Sequence, residues 1–385
     1  MICLVQTAEG RTVLEKSSDV VIIGGGVTGC SIAYQLAKQQ VRVVVLERTR
    51  FAAGASGATA GVISPLWHVD PEVEPMWRLG MRSLELFPSL ASELSEAGVD
   101  PEFRQTGVFK LAFTDEEADE LRGNLVWQSK LGFGVAWLDQ AEVLQREPEV
   151  STAVLGGIFS PKEGYVRGQR LVDSLVQAAS RLGAQFHQGV EVLNLRTEGK
   201  RVTGVVTSWG NIDAPQVVLA AGPWSGLPAR WLRQQGAPEI PVRPVKGERI
   251  LLRKPGFLPR SPVRNSEAYV VPRMDGDVLV AATRVEGRFD EVVTAGGVSH
   301  LIAAAALSFP GLSDAEFVSG RAGVRPATPD RMPILGPAPD VEGLSIAAGH
   351  DAVGIMLSPA TAELMAQYLL DGNAAPLEPF SLSRF

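Results

Sequence analysis

Soft metal ligands are scarce in this chain: 385 residues carry two cysteines and four histidines. Cys3 lies near the start and Cys30 opens a predicted helix, so no disulfide framework is expected. His68, His187, His300 and His350 stand far apart, without the spacing of a helical metal site, so no metal is expected. A basic excess is also missing. Lysine and arginine number 36 against 43 acids, a net charge of −7. That excludes a general nucleic-acid binder and a purely electrostatic membrane anchor. No apolar run reaches the roughly 18 residues that a membrane-spanning helix needs. Residues 1–18 lack a basic start followed by an apolar block, so they read as a loose extension, not a signal peptide, and the cytoplasm is the default expectation.

What remains is an ordinary globular composition, 45% hydrophobic and 21% charged, in a chain long enough for two domains. The segment 19–47 is its most informative stretch. An apolar strand over 19–23 runs into Gly24, Gly26 and Gly29, a helix follows over 29–39, and a second apolar strand over 41–46 ends at Glu47. Continuous apolar runs of this kind suit parallel strands covered on both faces. In a GxGxxG turn, Gly24 permits the tight bend and Gly26 the approach of a pyrophosphate. Gly29 lets helix pack on strand, the helix N-terminus then faces the phosphates, and Val27 in the turn is a candidate contact on the cofactor. Glu47, 18 residues beyond Gly29, is placed to accept ribose hydroxyls. Arg48 beside it is a candidate contact for a 2′-phosphate on that ribose, which one arginine does not decide.

Directly afterwards comes a second small-residue run, 54–61, with Ala55, Ser56, Thr59, Ala60, Gly61 and then Val62. A nicotinamide enzyme has little need of it. FAD stretches across its domain and needs backbone against its ring, so the run points to FAD; taken alone it also reads as a surface loop. The strand 215–222, ending in Ala221 and Gly222 before Trp224, either approaches the cofactor or is plain core. Arg325, held between Gly323 and Pro326, suits a bidentate grip on a carboxylate, or a structural ion pair. The stretch 344–371 reads strand, glycine-rich loop and helix, with Gly349, Ala352, Val353, Gly354, Ile355 and Met356 in the loop. Ser358 and Pro359 form a good N-cap and N1 pair. That helix start could face charge that builds on a reduced flavin, or the helix could be an ordinary terminal one. Tyr269 sits on a predicted strand, where propensity favours a half-buried tyrosine.

Elsewhere the periodicity predicts helices over 76–94, 114–131 (Thr114 as N-cap), 167–182 and 298–307. Strands are expected over 185–187 and 191–195, with a hairpin over 201–214 turning at 209–211. The proline-rich segment 236–262 suits extended crossing chains. Strands 268–272 and 278–282 flank a turn at 274–277.

Taken together, VVIIGGGVTGCSIAYQLAK, GASGATAGVISP, VFKLAF, VVLAAGPWSG, PVRPVKGE, AYVVPR, VTAGGV, AGVRPATPDRMPILG and GHDAVGIMLSPATAEL resemble the D-amino-acid oxidase family of flavoproteins, and within it the glycine oxidases. The resemblance runs from about residue 18 to about 371. It implies an α/β fold: an FAD-binding, Rossmann-like, doubly wound domain with an inserted antiparallel-sheet substrate domain. The expected division is 1–18 as extension, 19–85, 155–226 and 322–385 as FAD-binding domain, and 86–154 with 227–321 as substrate domain. It further implies FAD held non-covalently, since no Cys lies near 321–326 and no His within 54–61. The implied reaction is oxidation of a small amino acid or amine to its imine, with oxygen or another acceptor taking the electrons. Arg325 then holds the substrate carboxylate, also bordering the cofactor, Tyr269 assists, and the backbone at Val192 meets the adenine. A homo-oligomer or a subunit of a dehydrogenase complex both fit such a chain.

One departure stands out. Glycine oxidases of this type carry an arginine after Gly-His, whereas this chain reads His350-Asp351-Ala352-Val353. That loop is similar to those of dye-linked proline, hydroxyproline or opine dehydrogenase subunits. The open alternatives are such a dehydrogenase, a non-catalytic flavin-binding subunit, and a nicotinamide-dependent reductase.

Overall fold

The computed structural model describes residues 15–68, 70–226 and 239–385; Cys3, most of the 1–18 extension and the chain around 227–238 lie outside it. Val20–Ile23 and Val43–Glu47 are buried apolar strands that pair in parallel, joined by the helix Val27–Lys38. They form the centre of a six-stranded sheet. Its order is Ile334–Pro337, Leu344–Ala348, Gln216–Leu219, Val20–Ile23, Val43–Glu47, Gln185–Gln188, parallel throughout except for the first strand. Strands from the start, middle and end of the chain thus meet in one sheet, as the buried apolar runs imply. The helices Val27–Lys38, Gly168–Arg181 and Gly354–Asp371 pack on one face, around Ile32, Leu36, Leu175 and Leu357. On the other face sits a three-stranded sheet made by Val192–Glu198, Arg201–Thr207 and Gly210–Asp213. The hairpin expected over 201–214 is there, with its turn at Ser208 and Trp209, and its first strand pairs also with Val192–Glu198.

A nine-stranded, mainly antiparallel sheet forms the second body of structure. Its spine is the long pair Arg243–Arg253 and Glu316–Ala327. Of the proline-rich segment 236–262, residues 243–253 thus run extended, and 236–238 lie outside the described residues. Asp277–Ala281, Tyr269–Pro272 and Val263–Arg264 follow, and then Val108–Ala112, Gly156–Ser160 and Ala136–Asp139. This is the α/β architecture with an added antiparallel sheet. The division into domains given above stays a proposal; Gly156–Ser160 and residues 322–327, which it assigns to the FAD-binding domain, pair within the antiparallel sheet.

Helix boundaries differ from the sequence reading by two to four residues in several places, such as Val27–Lys38 for 29–39 and Ala295–Ser308 for 298–307. The helix expected to begin at Ser358 begins at Gly354, with Pro359 inside it. Pro359 has no N–H to give to the Ile355 carbonyl, four residues back. The Ser358 hydroxyl donates to that oxygen instead, at 3.0 Å, so the helix passes through the proline without a lost acceptor. Glu74–Glu96 likewise carries Pro88 and extends beyond the predicted 76–94. Thr114 caps as expected, its hydroxyl accepting from the Glu117 N–H. No helix among the described residues is long and apolar enough to cross a membrane.

Candidate active site

A cavity of about 530 Å³ lies between the parallel sheet and the antiparallel one, within the usual range for a small-molecule or cofactor site. Its walls begin at the carboxyl ends of the central parallel strands. The backbone of Gly24 has φ +117°, a conformation that side chains rarely adopt, and a Cβ there would run into the Ala220 carbonyl. Gly26 caps the helix Val27–Lys38, whose start has no side-chain cap. The Ser56 hydroxyl accepts from the Val27 N–H at 3.0 Å, tying the second small-residue run to this helix start. The carboxylate of Glu47 accepts from Gly25 N–H and from Thr49 N–H and hydroxyl, all at 2.9 Å, which fixes it at the cavity edge. The neighbouring Arg48 lies over the Trp224 ring at 4.3 Å, a cation–π contact that uses the face of the guanidinium.

The small-residue run itself is held from outside. Arg249 donates to the Gly57 carbonyl, Arg273 to Ala60, and Arg321 to Ala52 and Ala53. Arg249 and Arg321 lie on strands of the antiparallel sheet, and Arg273 directly follows its strand Tyr269–Pro272. A segment of Gly, Ala and Ser has no large side chains with which to anchor itself, so its carbonyls are its handles. Burial pushes the Arg249 and Arg273 guanidinium pKa values down to about 10, and for Arg249 the neighbouring arginines add to this. These cations bring positive potential to the back of the cradle.

At the far end stand the substrate candidates. Arg325 donates to the carbonyls of Lys246 at 3.3 Å and Thr283 at 3.1 Å. Its guanidinium lies across Gly247, where a Cβ would sit only 2.5 Å from the guanidinium carbon. Burial lowers its pKa, opposed by the nearby carboxylate of Asp351; it stays cationic at any working pH. The Tyr269 hydroxyl bonds His68 Nε2 at 2.9 Å. Burial pushes the tyrosine up to about 12 and the histidine down to about 3, so both are neutral near pH 7. The helix Gly354–Asp371 starts here without a side-chain cap, and Gly354, Ile355 and Met356 line the wall.

The cavity brings together nearly all the residues singled out from the sequence: Gly24, Gly26, Val27, Glu47, Arg48, Ala55, Ser56, Thr59, Ala60, Gly61, Val62, Val192, Ala221, Gly222, Trp224, Tyr269, Arg325, Ala352, Gly354, Ile355 and Met356. Three stand behind it. A Cβ at Gly29 would strike the Gly24 carbonyl, so this glycine is a packing contact between helix and strand. Gly349 is pressed against Thr328 and has φ +80°. Val353 is buried in the core. The sequence reading missed His68, Arg264 and Arg284, which also line the cavity. Arg284 brings a cation to the loop after Gly349-His350: its Nη1 lies 3.3 Å from the Asp351 carboxylate.

The residues present suit FAD. A helix start whose N-cap residue, Gly26, has no side chain, next to an open glycine turn, suits a pyrophosphate, a carboxylate closes the second strand, and a small-residue wall leads to an arginine. The family model for FAD dependent oxidoreductases matches residues 19–368. The chain belongs to that family. Glycine oxidase from Geobacillus kaustophilus is 37% identical over 95% of this chain and 97% of its own. A crystal structure of that organism's glycine oxidase superposes with TM-score 0.88, covering 96% of this chain and all of the other. An iminodiacetate oxidase from Chelativorans sp. BNC1 gives 0.85 at 30% identity, over 94% and 98%. The protein is therefore an FAD-dependent oxidoreductase, and the residues just described form its candidate cofactor and substrate site.

Proposed function

We propose that this enzyme oxidises a small amino acid or secondary amine to its imine and passes the electrons to oxygen, releasing hydrogen peroxide. The observation that carries the reading is Arg325: a guanidinium held by two backbone carbonyls in the cavity wall, with no carboxylate bonded to it among the described residues. Bound FAD supplies the hydride acceptor and the route of electrons to oxygen. The chain supplies position and environment. Arg325 grips the substrate carboxylate through its remaining N–H groups, and the Tyr269 hydroxyl offers a second hydrogen bond. Two fixed points orient the Cα–H, turning a free encounter into an oriented one. The His68–Tyr269 pair is neutral near pH 7, so it stabilises an uncharged amine beside it better than an ammonium. The uncapped start of Gly354–Asp371 favours negative charge on its side of the cavity.

The family's oxidases favour oxygen as the acceptor, over the dye- or quinone-linked alternative. The test is direct. Aerobic turnover with glycine or sarcosine should consume oxygen and form peroxide in equal amounts. Anaerobic bleaching of the flavin without oxygen uptake in air would move the enzyme to the dehydrogenase class.

A further inference from the structure

The sheet face that floors the cavity holds several arginines, and their partners can be tallied. Directly opposed residues on neighbouring strands share a face. Arg264, Tyr269, Ala281, Arg249 and Arg321 therefore form one row across the sheet. Two residues further along lie Gly247 and Gly323, and two beyond those Val245 and Arg325. Arg249 and Arg321 are occupied by carbonyls of the small-residue run. Arg284 is matched by Glu286 and Asp351. Two cations are left. Arg325 meets only backbone oxygens. Arg264 lies over the Tyr269 ring at 4.7 Å and has no carboxylate partner among the described residues.

Both guanidiniums lean inward over the same floor. Arg325 reaches across Gly247 to Thr283, just past the end of Asp277–Ala281. Arg264 covers Tyr269 on the adjacent strand. Adjacent strands lie about 4.8 Å apart. The two cations thus stand one to two strand spacings apart across the sheet and about two residues apart along it, on the order of 8–12 Å in all, which leaves a few ångströms between two carboxylates that each pair with one of them. That matches two carboxylates joined through one nitrogen or a two- or three-carbon chain. A single carboxylate would pair one guanidinium and leave the other facing the cavity unmatched.

We propose that the preferred substrate is an amine bearing two carboxylates, one held by Arg325 and the other by Arg264. This rests on the amine-oxidation reading and narrows it to acidic substrates. Charge-assisted pairs of this kind are strongly selective, because removing one partner strands the other.

The experiment uses the FAD-loaded enzyme under anaerobic conditions, followed at the flavin band. The panel is glycine, sarcosine, proline, N-(carboxymethyl)glycine, N-(carboxymethyl)alanine, and both enantiomers of aspartate and glutamate. At least one diacid should exceed every monoacid in the second-order rate constant of flavin reduction, and Arg264→Leu should lower the diacid-to-monoacid ratio by about 30-fold or more. Arg264→Lys should recover part of the ratio, and the flavin absorbance of each variant reports that it is folded and loaded. Bleaching by monoacids but by no diacid, or a ratio unchanged in Arg264→Leu, overturns the proposal while amine oxidation stands. Bleaching by no member of the panel removes both.

Discussion

At the scale of single residues, Arg325 is the centre of the account. Its guanidinium is held by the Lys246 and Thr283 carbonyls, with N–H groups left over for a ligand. Arg325→Ala should raise the KM for carboxylate substrates by about 30-fold or more, since losing one partner of a buried charge pair costs about 2–5 kcal/mol. Steady-state kinetics with a flavin-loaded variant checks this. Gly247→Ala is a subtler test. The new methyl group would occupy the place of the guanidinium, so KM should rise while FAD content holds; an unchanged KM would mean that the arginine has no fixed seat. The sequence made Arg325 and Tyr269 legible through flanking motif residues. It did not show Arg264 or His68. Arg264 matters because Asn265 closes a tight turn, its side chain accepting from the Glu267 and Ala268 N–H groups, which sets Arg264 opposite Tyr269. His68 ends a four-residue helix, and only tertiary packing brings it to the tyrosine.

At the scale of elements, the glycine turn and the run behind it decide cofactor binding. Gly24→Ala forces a Cβ into the Ala220 carbonyl at a positive φ. The variant should purify with at most a small fraction of the wild-type FAD, read from the ratio of flavin to protein absorbance. The first βαβ unit was readable because its apolar runs and glycines are contiguous. The antiparallel sheet was read only in part. Val108–Ala112, Gly156–Ser160 and Ala136–Asp139 are short strands separated by helices and loops, so their pairing is set by contacts distant in the chain. The start of Gly354–Asp371 was misplaced because Ser-Pro is a helix-opening signal on local grounds. Here the Ser358 hydroxyl instead supplies the hydrogen bond that proline withholds.

At the scale of the whole molecule, buried ionisable groups shape stability against pH. His350 is 3% exposed and bonds the Thr361 hydroxyl, and burial pushes its pKa down to about 4. The unfolded chain takes up a proton near pH 6.5 while the folded chain does not. Stability should therefore fall as pH drops from about 6.5 towards 4, by up to about 3 kcal/mol from this group. Thermal melts from pH 7 to 4.5 should show a shallower decline for His350→Gln than for the parent; parallel curves would refute this. The meeting of start, middle and end of the chain in one parallel sheet is what joins the cradle to the substrate floor, and three arginines bind the two bodies at the cofactor wall.

The most direct measurement is an anaerobic titration of the FAD-loaded enzyme and of its Arg325→Ala variant with the best amine carboxylate, watched at the flavin band. The account predicts complete bleaching of the parent, and a half-point about 30-fold or more higher in the variant. Equal half-points, or a parent whose flavin no amine reduces, would contradict it.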